Sequence, residues 1–266
     1  MSVLNSGMRL RLGTWNLDGG EPRWRQPYQT AHISNEADLW LLTEVPSHMQ
    51  IGNMKPSYSG LRPGETNQHW AAIAFRWPME LVASRHPSLV MARISHPGGA
   101  FLAACSLFPW RTAAMYWPTG DGDSFAKRCA RTLAAHTCEI DRASGGLPII
   151  WGGSFNQALS GRERAGSDVG RGALLEAFRT LGLRAVTLEA NGQDPRERSI
   201  DHIAIPKAWS SRAVKVQRPQ SDNRFLSDHP SYVVFVERAA VVSTVPSVSW
   251  GSLQLSPHRA ARLVQI

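Results

Sequence analysis

Five short segments of this chain set acid, amide or imidazole groups at the ends of apolar runs. They are Thr14-Trp15-Asn16-Leu17-Asp18-Gly19, Leu41-Leu42-Thr43-Glu44, Trp151-Gly152-Gly153-Ser154-Phe155-Asn156, Ser199-Ile200-Asp201-His202-Ile203 and Leu226-Ser227-Asp228-His229-Pro230. In an extended chain residues i and i+2 share a face, which sets Asn16 beside Asp18 and Ser154 beside Asn156. Such a set suits a hard divalent cation together with a phosphate ester. Magnesium takes oxygen ligands, keeps several waters and needs only one or two protein carboxylates; Glu44, backed by Asp18, supplies them, while Asn16 and Asn156 add neutral donors and acceptors. His229 is suited to donate to a non-bridging phosphate oxygen whose charge grows in the transition state, and neighbouring carboxylates favour its cationic form. Asp201, next to His202, is suited to orient an imidazole through a carboxylate hydrogen bond.

Apolar runs four to eight residues long read as buried strands at Arg9 to Trp15, Leu39 to Leu42, Trp70 to Phe75, Leu89 to Ile94, Ala100 to Leu107, Pro148 to Trp151, Ile200 to Ile205 and Tyr232 to Val236. Two segments have helical spacing instead. Phe125, Cys129, Leu133, His136 and Ile140 recur along Asp123 to Arg142 behind a capping Ser124, and Leu174, Leu175, Phe178 and Leu181 stripe Gly172 to Leu181. Strands that outnumber helices and mostly follow one another predict an α+β domain of two packed sheets with helices outside. No repeat and no Gly/Ser linker divides it. The composition changes after Arg238, so the expected organisation is one domain over 1–238 and a mobile or peripheral tail over 239–266.

The 266 residues are 42% hydrophobic and 19% charged, a globular mix that excludes disordered, collagenous and coiled-coil classes. No apolar run approaches the roughly 18 residues of a membrane span, and no secretory signal pattern opens the chain; a cytoplasmic protein without membrane partners is expected. Cys105, Cys129 and Cys138 have neither zinc nor redox spacing and read as buried free thiols. The net charge of +8, from 29 basic residues against 21 acidic ones, attracts polyanions. A GC-rich genome favours Arg as well, so the surplus alone selects no partner.

In this order, the five segments resemble the endonuclease/exonuclease/phosphatase superfamily, which includes exonuclease III, pancreatic deoxyribonuclease and inositol-phosphate 5-phosphatases. The resemblance runs from about Met8 to Val236 and rests on TWNLDG, LLTE, SIDHI and LSDH, with GSFN where the family has GDFN. It implies a four-layer α/β/β/α sandwich of two mixed sheets with the site at one end. It also implies roles: Glu44 as principal magnesium ligand with Asp18 and Asn16 beside it, manganese being an alternative ion, and Asn156 orienting nucleophile or phosphate. His229 would bind phosphate, Asp201 would partner the catalytic histidine, and Asp228 would support the metal or the histidine.

Two departures from the family pattern bear on chemistry. Ser154 stands where an aspartate activates or orients the attacking water, and a hydroxyl is no base near neutral pH, whereas a positioned base contributes roughly 100- to 10,000-fold. Ser106-Leu107-Phe108-Pro109 stands where relatives often carry a His or Tyr that contacts phosphate. Near the expected site, Trp110 and Trp117 could stack on a base, and Arg111, Arg162, Arg164 and Arg171 could contact phosphates. His69, His86, His96 and His136 are isolated and read as structural. The expectation is a magnesium-dependent phosphate-ester hydrolase, foremost a nucleic-acid phosphodiesterase, with Ser154 expected to impair its activity. The alternatives are a phosphomonoesterase, or a degenerate relative that binds nucleic acid or a phosphorylated partner. Endo or exo attack, one metal or two, and the oligomeric state stay open.

Overall fold

The computed structural model describes residues 7–20, 23–64, 67–113, 117, 122–160, 166–188 and 199–239. The proposed tail, apart from Ala239, lies outside the described residues, as do Arg162 and Arg164.

The chain opens with β1 (Met8–Asn16), crosses through α1 (Gln26–Glu36) and returns in β2 (Leu39–Pro46), parallel to β1. There follow β3 (Ser57–Tyr58), β4 (Gln68–Phe75), β5 (Met79–Val82), β6 (Leu89–Ile94) and β7 (Phe101–Leu107). A second crossover, α2 (Phe125–Ser144), leads into β8 (Ile149–Ser154), parallel to β7. After α3 (Asp168–Thr180) come β9 (Leu183–Ala185), β10 (Asp201–Pro206), β11 (Ser210–Gln217), the hairpin β12 (Gln220–Ser221) and β13 (Arg224–Phe225), and β14 (Ser231–Arg238). One six-stranded sheet has the order β11-β14-β1-β2-β4-β3 and the other β5-β6-β7-β8-β10-β9.

Strand alternation divides the core into layers. Leu10, Leu12, Leu39, Leu41, Ile150, Ile203 and Val234 meet between the sheets. Trp15, Trp40 and Leu42 turn outward against Ile33 of α1, and Trp151, Leu102 and Ala204 turn outward against α2 and α3. The result is the expected α/β/β/α sandwich of two mixed sheets. No helix among the described residues is long and apolar enough to cross a membrane.

This topology fixes where chemistry can gather. Both parallel pairs end at one rim of the sandwich, and β4, β10 and β14 run antiparallel to them and start there. All five chemistry-bearing segments lie at these strand ends. The sheets also close on each other near this rim: a Cβ at Gly152 would lie 2.6 Å from Leu41 Cδ1 and 2.7 Å from the His202 carbonyl oxygen.

Several elements depart from the sequence reading. α1 was not expected, nor were β3, β5, β9, β11 and the small hairpin. α3 starts at Asp168, four residues before the expected Gly172, because Ser167 accepts a hydrogen bond from the Gly170 N–H and caps it there. Ser124 caps α2 through the Lys127 N–H, as expected. The three free thiols are not all buried: Cys105 is, Cys129 is half-buried with its pKa pushed up by burial to about 11, and Cys138 is exposed.

Candidate active site

The rim is built first from β1 and β2. Asn16, at the end of β1, is buried and uses both ends of its amide. Its Nδ2 donates to Glu44 Oε1 at 3.0 Å, and its Oδ1 accepts from the Asp18 N–H at 2.9 Å. Glu44 breaks the alternation of β2: Leu41 faces the inter-sheet core, Val45 faces the α1 side, and Glu44 between them has a left-handed backbone with φ 53°. Asp18 (φ 53°) and Asn156 (φ 47°) share that conformation. Half of the six described non-glycine residues at positive φ are therefore candidate site residues. Asp and Asn adopt that conformation readily, whereas for Glu44 it costs roughly 1–2 kcal/mol, and such strain concentrates at functional sites.

Both carboxylates on this side carry an arginine. Arg25 Nη1 lies 2.9 Å from Asp18 Oδ2. Arg62 Nη1 donates to Glu44 Oε2 at 3.0 Å and to Gln68 Oε1 at 2.6 Å, and its guanidinium carbon sits 5.3 Å from the ring centroids of both Trp70 and Trp110. The sequence reading missed Arg25, Arg62 and Gln68. An Arg in a Pro/Gly loop carries no signal, and Gln68 reads only as the start of a strand.

The other side of the rim comes from the second sheet. Ser154 and Asp201 face each other across β8 and β10 in direct register, both fully or nearly fully buried. Asp201 Oδ2 lies 2.6 Å from His229 Nδ1, so one hydrogen bond ties the start of β10 to the turn before β14 and bridges the two sheets. Asp201 Oδ1 and Ser154 Oγ are both buried without a hydrogen-bond partner. Burial pulls the His229 pKa down, but the charge and hydrogen bond of Asp201, with Asp228 and Glu44 behind them, lift it to about 9. His229 is thus a cation at neutral pH. Its backbone is pinned by Trp15 Nε1 donating to its carbonyl and by its own N–H donating to Ser227 Oγ, which in turn donates to the Asn16 carbonyl. Asp228 is largely exposed, with Oδ1 3.7 Å from His229 Nε2. Asn156 Nδ2 donates to the Phe108 carbonyl at 2.8 Å.

The imidazole that Asp201 holds is that of His229 and not of its sequence neighbour. His202 points to the opposite face of β10, buried between Thr187 Oγ1 at 3.0 Å and the Gln157 carbonyl at 2.9 Å. Burial, only partly offset by that carbonyl and by Asp201, pushes its pKa down to about 4. Trp117 is also unavailable to a base: it is 4% exposed and its Nε1 donates to Thr132 Oγ1. Trp110 is half-buried against Trp70 and Trp117. Arg111 bonds the Gly166 carbonyl and covers the Phe125 ring, away from the carboxylates, and Arg171 pairs with Asp168 on α3. Ser106 points away from the rim, to His136 Nδ1 and Trp151 Nε1.

Among the described residues no group of three or more His, Cys, Asp or Glu side chains is gathered as a metal site. The donor chemistry nevertheless fits a magnesium-like ion, which needs few carboxylates and retains water. Each Glu44 oxygen accepts one hydrogen bond from the protein and keeps a further lone pair. Glu44 would hold the ion, with Asn16 and Asp18 beside it.

No family model and no curated protein matches this sequence. Solved structures do match. A humanized D. rerio TDP2 superimposes with a TM-score of 0.58 at 13% identity, over 86% of this chain and 98% of that one. An endonuclease/exonuclease/phosphatase protein from Beutenbergia cavernae gives 0.58 at 14%, over 88% and 73%. The chain has the endonuclease/exonuclease/phosphatase fold. The endonuclease domain of TRAS1, a telomere-specific non-LTR retrotransposon, matches likewise, with a TM-score of 0.55 at 13% identity over 86% of this chain and 98% of that one. The fold's neighbours thus include an endonuclease domain.

Proposed function

We propose that this chain is a magnesium-dependent phosphodiesterase of that superfamily acting on nucleic acid. The observation that carries the reading is the Asp201–His229 pair, a buried carboxylate holding a cationic imidazole on the same rim as Glu44. A bound divalent ion offsets phosphate charge and makes water a better nucleophile. The protein groups supply the rest. His229, held by Asp201 on Nδ1, donates from Nε2 to a non-bridging phosphate oxygen as charge builds there. Asn156, anchored to the Phe108 carbonyl, orients phosphate or nucleophile. Water adds to phosphorus, the P–O bond to the leaving oxygen breaks, and the proton that water gives up passes through solvent to that oxygen, which departs as the alcohol.

A polyanionic substrate is supported by the rim's surroundings. Arg23, Arg218 and Arg224 are exposed on the segments that follow Asp18 and precede Ser227. Arg224 covers the Trp24 ring at 5.7 Å and Arg218 the half-exposed Phe225 ring at 5.8 Å. Such basic and aromatic mixtures bind single strands through phosphates and base stacking. Among the fold's neighbours, D. rerio TDP2 has been crystallised with a single-strand DNA product.

The test is a panel of oligonucleotides and small phosphomonoesters assayed with magnesium and with manganese. Metal-dependent turnover of oligonucleotides above the monoesters is expected. Turnover confined to monoesters would replace the reading with a phosphatase. One observation favours a second reading, a relative that binds without turnover: Ser154 Oγ is buried and idle where the family places its base. Oligonucleotide binding with no hydrolysis of any ester would select it.

A further inference from the structure

Arg62 is built into the rim more firmly than an ordinary surface cation. It leaves the loop between β3 and β4 and its side chain is only 17% exposed. Its guanidinium carbon lies 5.3 Å from the ring centroids of both Trp70, of one sheet, and Trp110, beyond the end of the other; these indoles themselves meet at 6.3 Å and 51°, so Arg62 covers the tilted pair from one side. Trp70 is fully buried and meets Trp117 edge-on at 5.1 Å, and Trp117 is itself tied to α2 through Thr132. One nitrogen, Nη1, serves both Glu44 and Gln68. An arginine held against two indoles and bonded to two acceptors in this way is pre-organised and does not exchange freely with lysine.

We propose that Arg62 is a resident cation of the site, a positioning residue that holds Glu44 and confines the rim to a single divalent ion. The proposal rests on the reading of Glu44 as a metal ligand. Charge balance points the same way. The carboxylates of Asp18 and Glu44 already face the permanent cations of Arg25 and Arg62, in pairs at 2.9 and 3.0 Å. Each of these charges is matched by a guanidinium, and Ser154 adds no further carboxylate. A second divalent ion would therefore add its full charge to a place whose own charges already cancel. Arg62 thus stands where a second ion's charge would otherwise act.

Magnesium alone, titrated by calorimetry into the full chain and its variants, tests this. Wild type binds one ion per chain. Arg62→Met, which keeps apolar bulk against the two indoles, binds about tenfold more tightly or admits a second ion, because a charge repelling the ion across a few ångströms has gone. Its melting temperature without magnesium falls, and magnesium restores more of it than in wild type. Arg62→Lys keeps the wild-type stoichiometry. Should Arg62→Met not fold, Arg62→Gln removes the same charge and retains a donor to Glu44. Unchanged or weaker binding in a folded, charge-removed variant, or two ions in wild type, overturns the proposal while leaving Glu44 a ligand. No binding by wild type removes the metal reading itself and this proposal with it.

Discussion

The two sheets meet at the same rim but finish it differently. On the β1–β2 side every carboxylate is answered by an arginine: Asp18 by Arg25, Glu44 by Arg62. On the β8–β10 side Asp201 Oδ1 and Ser154 Oγ are buried without partners, and His229, reaching over from the first sheet, is the group that pairs with Asp201. A buried polar group without a partner costs roughly 1–3 kcal/mol, and these two lie directly opposite each other at the rim. On the proposed reading the first side is the cation site, its charges already matched, and the second is where phosphate and nucleophile would complete the hydrogen bonding.

The largest expected effects break the second side. Asp201→Asn and His229→Asn each lower metal-dependent cleavage by about 100- to 10,000-fold, read as steady-state turnover of a labelled oligonucleotide. Asp201→Asn should also lower the His229 pKa, visible in the imidazole resonances by NMR. Wild-type rates in either variant would separate the pair from the chemistry.

Ser154→Asp sharpens the comparison. It supplies the absent carboxylate, and turnover should rise by up to the roughly 100- to 10,000-fold of a positioned base. The new group meets Asp201 first, directly across the strands, before Glu44 or Asp228. Like charges in a buried position raise the proton affinity of the pair, so the melting temperature without magnesium should fall. A well-folded variant with no gain at any pH would show that the base lies elsewhere; His202, with both ring nitrogens occupied, is not a candidate for it.

The same contrast sets the pH dependence of stability. His229 has a folded pKa near 9 against 6.5 when unfolded, so its stabilisation is complete below about 6.5 and is lost as pH rises through 9. The loss is on the order of 3 kcal/mol at most. His202, depressed to about 4, acts oppositely and removes stability as pH falls below 6.5. Melting temperature should peak between the two limbs, and His229→Asn should flatten the alkaline one only. Smallest of all, Arg25→Ala should change stability by no more than about 1 kcal/mol, since its pair with Asp18 is partly exposed. Chemical denaturation measures it.

How much of this was readable in the sequence follows from what holds each element. The core strands announced themselves because both their faces are buried, as in β7, where every residue is. α1 did not, because it buries only Gln29 and Ile33 and is anchored by polar bonds: Gln29 to the Leu17 and Leu226 carbonyls, His32 to Ser231. β11 is a charged, mostly exposed edge strand without an apolar face. At the site, acids and amides at strand ends were legible as a set, whereas the partner of Asp201 was not decided by adjacency. Strand alternation sends His202 to the far face and leaves His229, distant in sequence, to meet Asp201. Arg62 was silent because its meaning lies in two tryptophans and a carboxylate that only the packed sheets assemble.

The central claim, a metal-dependent phosphodiesterase built on Glu44 and the Asp201–His229 pair, is tested most directly by incubating supercoiled plasmid with the protein in magnesium, in EDTA, and with Glu44→Ala beside wild type. The account predicts nicking by wild type in magnesium that EDTA abolishes and that Glu44→Ala lacks while remaining folded. Nicking that persists in EDTA or in Glu44→Ala, or binding of the plasmid with no nicking by wild type, would contradict it.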